Sequence, residues 1–382
     1  MYGNQIRRTN ILDQIINPSD DTIPEEKRIC LELTYDWLRG IIKMKHHREM
    51  RIGGGAGVGK TRMLKYQVEL CKKMGLRYAV VAFTNKAVSV LRTNGIPEAQ
   101  TMHTILYRVY TNSYGEICYA KRDVIFYDVV FVDEGSMVST SLYNDLCNHR
   151  TWRVIVGDPM QLSPVGDDPR LMEEVDFILE EIHRQGKESP IIAFAHRVRH
   201  GNLELRPGHW GNDQVGHLEI ITQMPQDLRP YDIVICSYNN TRHRLNNEKR
   251  QSLGYASILE EGETIMCLKN ARNGLYNSLF VTASNITITP SVVTADLTDS
   301  LGMVFENIRM NAYVFGRNYE VGTDDINETL PFSYASAITT HKSQASQWGS
   351  VIIKNEKLKN SDYARRLYTA ATRAEFSLTI AA

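Results

Sequence analysis

The stretch Gly54–Thr61 reads GGAGVGKT and matches the pattern G-x-x-x-x-G-K-[ST]. An apolar run precedes it and a helix-forming segment, Lys60–Met74, follows and closes at Gly75. In that context small residues let backbone N–H groups turn inward and cradle phosphate oxygens at a helix N-terminus. Gly54, Gly55, Ala56, Gly57, Val58 and Gly59 would form the cradle. Lys60 would place a point charge on the β and γ phosphates, and Thr61 a hydroxyl on Mg²⁺. The reading therefore implies a nucleoside triphosphate and Mg²⁺. A structural glycine turn would leave the Lys60-Thr61 pair unexplained.

Around this loop the chain alternates strands and helices. Arg51–Gly53 enter the loop, and Arg77–Phe83 (RYAVVAF), Tyr127–Val132 (YDVVFV) and Trp152–Val156 (WRVIV) are short apolar strands. Asn85–Thr93 is a helix, and Pro24–Lys45 has the apolar spacing of another. This order predicts a parallel sheet with helices on both faces. Residues 104–123 break it with a Tyr-rich alternation around a polar turn, which reads as a hairpin.

The pattern restarts in the second half with Asp232–Ser237 and returns at Tyr334–Thr339, Val351–Lys354 and Phe376–Ala381. Between them, about 262–330 is rich in Thr, Val, Ile and Asn and predicts a β-rich insertion. The expected organisation is an unassigned segment 1–22, a first α/β domain 23–200 carrying the hairpin, and a second 201–382 carrying the insertion.

Two further strings sit where an open α/β sheet binds its ligands, at strand C-terminal ends. Asp133-Glu134 follow YDVVFV. Asp133 would hold Mg²⁺ through water, and Glu134 would take a proton from, or orient, an attacking water. GDPMQLSPV, Gly157–Val165, follows the next strand. Its Gln161 offers a neutral amide that can sense a γ-phosphate, and Pro164-Val165 stiffen the loop as it leaves.

Composition narrows the class. The chain has 382 residues, enough for two or three cores. Lys plus Arg number 44, as do Asp plus Glu, so a bulk electrostatic nucleic-acid binder is disfavoured while a locally basic groove is not. Cys30, Cys71, Cys118, Cys147, Cys236 and Cys267 are scattered, with no CxxC pair. No apolar run reaches the roughly 18 residues of a membrane span, and MYGNQIRRTN has no apolar core like that of a signal peptide. The expectation is a cytoplasmic protein, in a bacterial or infected-host cytosol.

Taken in order, the strings resemble a superfamily 1B DNA helicase of the RecD/Dda type, from about Gly54 to the C-terminus. Glu181-Ile-His-Arg-Gln is similar to the family's segment joining two motor domains, whose arginine, here Arg184, reaches the γ-phosphate. AITTHKSQ, Ala337–Gln344, resembles a string that contacts DNA and nucleotide. LYTAATR, Leu367–Arg373, resembles the string that makes Arg373 the arginine finger.

The resemblance implies two RecA-like parallel-sheet motor domains, with a pin hairpin in the first and a small SH3-like β insertion in the second. ATP and Mg²⁺ would sit between the domains, with Lys60, Glu134, Gln161, Arg184 and Arg373 carrying hydrolysis. Thr84, Asn85, Thr101, His103, Pro164, Thr339, His341 and Lys342 would face DNA. Tyr107, Tyr110, Tyr114 and Tyr119 lie on the hairpin, and Tyr114 near its tip would meet the fork. The implied activity is 5′-to-3′ movement on single-stranded DNA and opening of forked duplex, by a monomer, with replication or recombination proteins as partners and no membrane.

An RNA or RNA–DNA helicase is the alternative within the class. A nucleotide-gated DNA-binding accessory subunit that does not unwind is the alternative outside it. Two departures stand out. Glu26 replaces a glutamine that in the family reads adenine. Ala345 follows the HKSQ string where glycine is usual, and a positive φ there would strain it.

Overall fold

The computed structural model describes residues 11–12, 14–15, 23–111, 117–163, 169–181, 188–269, 271, 274–300, 302–317, 329–356 and 362–382. They divide into two units, Met1–Lys187 and Glu188–Ala382.

Unit 1 opens with α1, Glu25–Leu38, after Pro24. The apolar spacing predicts a helix running to 45, but it stops at Leu38. Gly40 takes a left-handed φ of 70° and its N–H returns to the Trp37 carbonyl, which ends the helix with the residue best able to do so.

The sheet strands are β1 (Glu49–Gly54), β2 (Tyr78–Ala82), β3 (Gln100–Thr101), β6 (Val129–Asp133), β7 (Trp152–Gly157) and β8 (Phe177–Leu179). They form a six-stranded parallel sheet in the order β3-β2-β6-β7-β1-β8. Every residue of β1 is buried, as are the first four of β6, because helices cover both faces. Those helices include α2 (Lys60–Met74), α3 (Asn85–Thr93), α4 (Met102–Leu106) and α5 (Thr140–Cys147). The core on one face joins Val81, Val130, Val132 and Ile155 of the sheet to Met102, Ile105, Leu142 and Leu146 of the helices. Strands β4 (Tyr107–Thr111) and β5 (Ile117–Lys121) stand apart as an antiparallel pair, within the span read as a hairpin.

Unit 2 begins with α6, Pro190–Arg199, capped by Ser189. Its sheet contains β9 (Gly208–Asn212), β10 (Gly216–Ile221), β11 (Ile233–Cys236), β17 (Ala337–Thr339), β18 (Trp348–Lys354) and β19 (Ala374–Ala381), ordered β17-β11-β18-β19-β10-β9. All pairs are parallel except β9 with β10. Helices α7 (Asn239–Ser252), α8 (Thr340–Ser343) and α9 (Tyr363–Ala371) connect these strands. The sequence places a domain division after 200, whereas α6 packs on β10 and on α9 and so goes with the second unit.

Between α7 and β17 lies an antiparallel five-stranded sheet, ordered β15-β14-β13-β12-β16, from β12 (Thr264–Cys267) through β13 (Phe280–Ile288), β14 (Val292–Asp299) and β15 (Val304–Asn311) to β16 (Phe332–Tyr334). It has its own core, with Ile265, Val281, Leu297, Met310 and Phe332 inside. Alternating burial along β14 gives one packed and one wet face, which is why its composition reads as β without a long apolar run.

Candidate functional site

At the C-terminal edge of the unit 1 sheet, the loops after β1, β6 and β7 come together. Glycines let them touch. A Cβ on Gly53 would lie 3.2 Å from Pro159 Cγ, which brings the loop after β7 against the end of β1. A Cβ on Gly157 would lie 3.2 Å from the Gly135 nitrogen and 2.9 Å from Met172 Sδ. A Cβ on Gly135 would clash at 2.5 Å with Ile155 Cγ2.

The loop after β1 is shaped to hold an anion. Gly57 and Gly59 adopt φ of 78° and 75°. Gly59 caps α2 with no side chain, and the first turn of α2 holds no acidic residue, so its N–H donors and positive dipole end are left for a ligand. Gly54 approaches Val58 so closely that a Cβ would fall 2.7 Å from its Cγ2. Lys60 Nζ donates to the carbonyls of Gly54 and Gly55, both at 2.9 Å. Thr61 is the next helical residue.

Opposite acids end β6. Burial pushes the Asp133 carboxyl up to about 7; the Glu134 charge adds to this and Lys60 opposes it. Glu134 takes φ 53°, a left-handed conformation rare outside glycine, at the head of the tight turn Gly135–Met137. Its Oε2 is buried and accepts from no described group. In the loop after β7, Asp158 Oδ1 accepts from Met160 N at 3.0 Å, and Gln161 N donates to the Asp158 carbonyl at 3.2 Å. This tight turn buries Gln161 to 5% exposure and leaves its Oε1 without a described partner. Buried polar atoms are seldom unpaired, so two at one sheet edge beside an open helix N-terminus fit a site for a polar ligand. Thr61 and Asp133 supply hard oxygen donors of the kind that hold Mg²⁺ together with phosphates. Among the described residues no larger His, Cys, Asp and Glu cluster offers a metal cage.

Neighbouring residues of the same unit line the adjoining edge. Thr84 caps α3 by accepting from Ala87 N, and Asn85 follows it; Thr101 caps α4 by accepting from Thr104 N. Strands β2 and β3 pair Ala82 with Thr101, so both caps share one edge. His103 is exposed, with its ring 5.7 Å from that of Tyr107 in a stacked arrangement and 6.2 Å from Phe83.

In unit 2, β11 and β17 pair Cys236 with Thr339. Thr339 is buried, while His341 and Lys342 are half-buried on α8. Burial lowers the Lys342 ammonium to about 8, with the positive Arg242 adding to the effect. Arg242 itself is buried on α7 with Nε unpaired among the described residues. Arg373 is 6% exposed and donates to the carbonyls of Thr369 and Ser346 and to Thr372 Oγ1.

Comparison with known proteins agrees with this geometry. Residues 39–167 match the profile of an AAA domain, and 334–381 that of a UvrD-like helicase C-terminal domain. The ATP-dependent RecD2 DNA helicase of Deinococcus radiodurans is 26% identical over 364 residues, which cover 86% of this chain and 46% of that protein. The chain thus spans about half the length of this curated relative. A Pif1 helicase from Bacteroides in complex with ADP-AlF3 and single-stranded DNA shares the fold at TM-score 0.55 and 18% identity, over 91% of each chain. The Pif1 helicase from Candida albicans does so at 0.53 and 17%, over 94% of each.

Two stretches of the chain are thus similar to an AAA domain and to a UvrD-like helicase C-terminal domain, and the fold is shared with Pif1 helicases.

Three residues expected from the helicase motifs, Tyr114, Pro164 and Arg184, lie outside the described residues. Of the two departures from the family pattern, Glu26 is already engaged: its carboxylate oxygens accept from the backbone N–H groups of Glu180 and Glu181, just past β8. It holds the start of the segment leading to Arg184. Ala345 does take a positive φ, 58°, one residue before the carbonyl that Arg373 holds. Nothing in the local sequence marks Arg242. It lies in a polar, basic helix, NNTRHRLNNEKRQS, that reads as a solvated face, and only the fold turns it inward.

Proposed function

We propose that this chain is an ATP-dependent DNA helicase that moves 5′ to 3′ along one strand. The observation that carries the reading is the pair of buried, unpartnered acceptors, Glu134 Oε2 and Gln161 Oε1, beside the open N-terminus of α2. When bound, ATP supplies the phosphoryl group transferred to water and Mg²⁺ neutralises its phosphate charge.

The chain's own residues would do the rest. Lys60 rests on two carbonyls that bind a cation weakly, so it is free to exchange them for phosphate oxygens. Thr61 and Asp133 would hold the metal. A metal beside Asp133 would draw its carboxyl down from about 7 and keep it ionised. Glu134, whose Oε2 has no competing donor, would accept the water proton. Gln161 would orient that water through its free amide oxygen without repelling it. For Arg373 to act as the arginine finger, its guanidinium must leave Thr369, Ser346 and Thr372.

On the DNA side, sequence-independent contacts to phosphates would come from the edge bearing Thr84, Asn85, Thr101 and His103 and from Thr339, His341 and Lys342. The exposed rings of Tyr110 and Tyr119 on β4 and β5 offer faces for a base, each worth about 1–3 kcal/mol.

The test is unwinding of forked duplexes with a 5′ tail, a 3′ tail or an RNA loading strand. The reading expects the 5′-tailed DNA to open with ATP and Mg²⁺. Opening of only the 3′-tailed fork overturns the polarity, and preference for the RNA strand overturns the substrate. Hydrolysis with no unwinding of any fork identifies an accessory ATPase instead.

A further inference from the structure

The root of the hairpin converges on one carboxylate. Tyr107 opens β4 and Lys121 closes β5, and the two stand opposite each other in the antiparallel register. Cross-strand partners share a face, so both side chains leave the ribbon on the same side. There the Tyr107 hydroxyl donates to Asp145 Oδ2, and Lys121 Nζ donates to Asp145 Oδ1 at 2.6 Å. Asp145 is 9% exposed on α5, next to Leu146 and one turn from Leu142 in the core under the sheet. Burial alone would raise its carboxyl; the hydrogen bonds from Lys121 and Tyr107 outweigh this and hold it below the usual range. The Tyr107 hydroxyl is pushed up to about 12 by the same burial and the same carboxylate. The Arg122 N–H closes the root on the Leu106 carbonyl at 2.8 Å, and the His103 ring stacks on Tyr107.

This convergence matters because β4 and β5 pair with no other strand among the described residues. A two-stranded ribbon in water is marginally stable, so the direction in which this one points is set at its root. Helix α5 begins just past the turn that Asp133 and Glu134 open, with Ser139 as its cap. The anchor of the hairpin thus lies on the helix that follows the acids of the nucleotide site in the chain.

We propose that Asp145 is a positioning residue that clamps both strands of the hairpin to α5, so that the ribbon bears load against a duplex. The proposal rests on the helicase reading above. In its absence Tyr107 and Lys121 would lose their shared acceptor, and the ribbon would pivot about the Leu106–Arg122 backbone bond.

The experiment compares the parent chain with Asp145→Ala, Asp145→Asn and Lys121→Met in three measurements: hydrogen exchange, hydrolysis stimulated by single-stranded DNA, and unwinding of a forked duplex. In Asp145→Ala, amides of β4 and β5 should exchange at least about tenfold faster, while those of α5 and β6 keep their protection. Unwinding should fall by about tenfold or more, with stimulated hydrolysis kept within about twofold. Asp145→Asn, which retains an acceptor for Tyr107, and Lys121→Met should fall between these limits. Unchanged hairpin exchange in Asp145→Ala and Lys121→Met overturns the clamp. Equal loss of hydrolysis and unwinding in all variants overturns the positioning role in favour of a general structural one. If the parent chain unwinds nothing, the helicase reading fails, and the exchange data still decide whether the clamp exists.

Discussion

At the N-terminal end of the unit 1 sheet, the fully buried carboxylate of Glu49 accepts from Arg51 Nε at 2.7 Å, Arg153 Nε at 3.0 Å and the Tyr143 hydroxyl at 2.9 Å. At the C-terminal end, Glu134 and Gln161 each bury an oxygen with no described partner, and Lys60 leans on two backbone carbonyls. Both sets of groups hang on the same few strands, and β1 joins one end to the other. Both carboxylate oxygens at the first end are partnered within the protein and stabilise the fold. Charge at the second is arranged for something the protein does not itself provide. Burial is shared by the two ends; satisfaction is what separates a structural ion cluster from a site.

Substitutions at each end should therefore fail differently. Glu49→Ala leaves two buried guanidinium groups without their carboxylate and should cost about 3–5 kcal/mol of stability, read by chemical denaturation. A loss below about 1 kcal/mol would mean that water replaces the cluster freely.

Asp133→Asn should do the opposite. The folded carboxyl titrates near 7, above its ordinary value near 3.8, so the native state binds the proton more tightly than the unfolded chain does. Stability from this group is then lost as pH rises from about 4 to 7. The asparagine variant should melt a few degrees above the parent at pH 8 without nucleotide, the gap closing by pH 4. A gap that does not change with pH would remove burial as the cause. The smallest effect belongs to unit 2. Ala345→Gly relieves a left-handed alanine and should gain about 0.5–1 kcal/mol after the added chain entropy. No gain would mean that the loop is already relaxed.

The second end was legible in the sequence because each part is a short string tied to a strand terminus. GGAGVGKT, Asp133-Glu134 and Gly157–Gln161 need only local order to be placed on one sheet edge. The first end was not, since Glu49 meets Arg153 across 104 positions and no local pattern marks either. Asp145 was hidden for the same reason: it reads as one more acid on a short helix until Tyr107 and Lys121 arrive from elsewhere in the chain. Ala345 was legible conditionally, as a residue that would be strained if φ were positive, and the backbone supplies that condition. Glu26 shows the limit of motif substitution. Its place in the string marks a departure, but only the fold reveals that its carboxylate is occupied by Glu180 and Glu181.

The most direct test of the contrast is ATP turnover of Glu134→Gln, measured with and without single-stranded DNA and alongside nucleotide binding and thermal melting. The amide keeps the shape and removes the base. Turnover should fall by about 10²–10³ with binding and melting temperature preserved, as befits a group the fold does not use. Undiminished turnover, or a loss of stability like that expected for Glu49→Ala, would contradict the account.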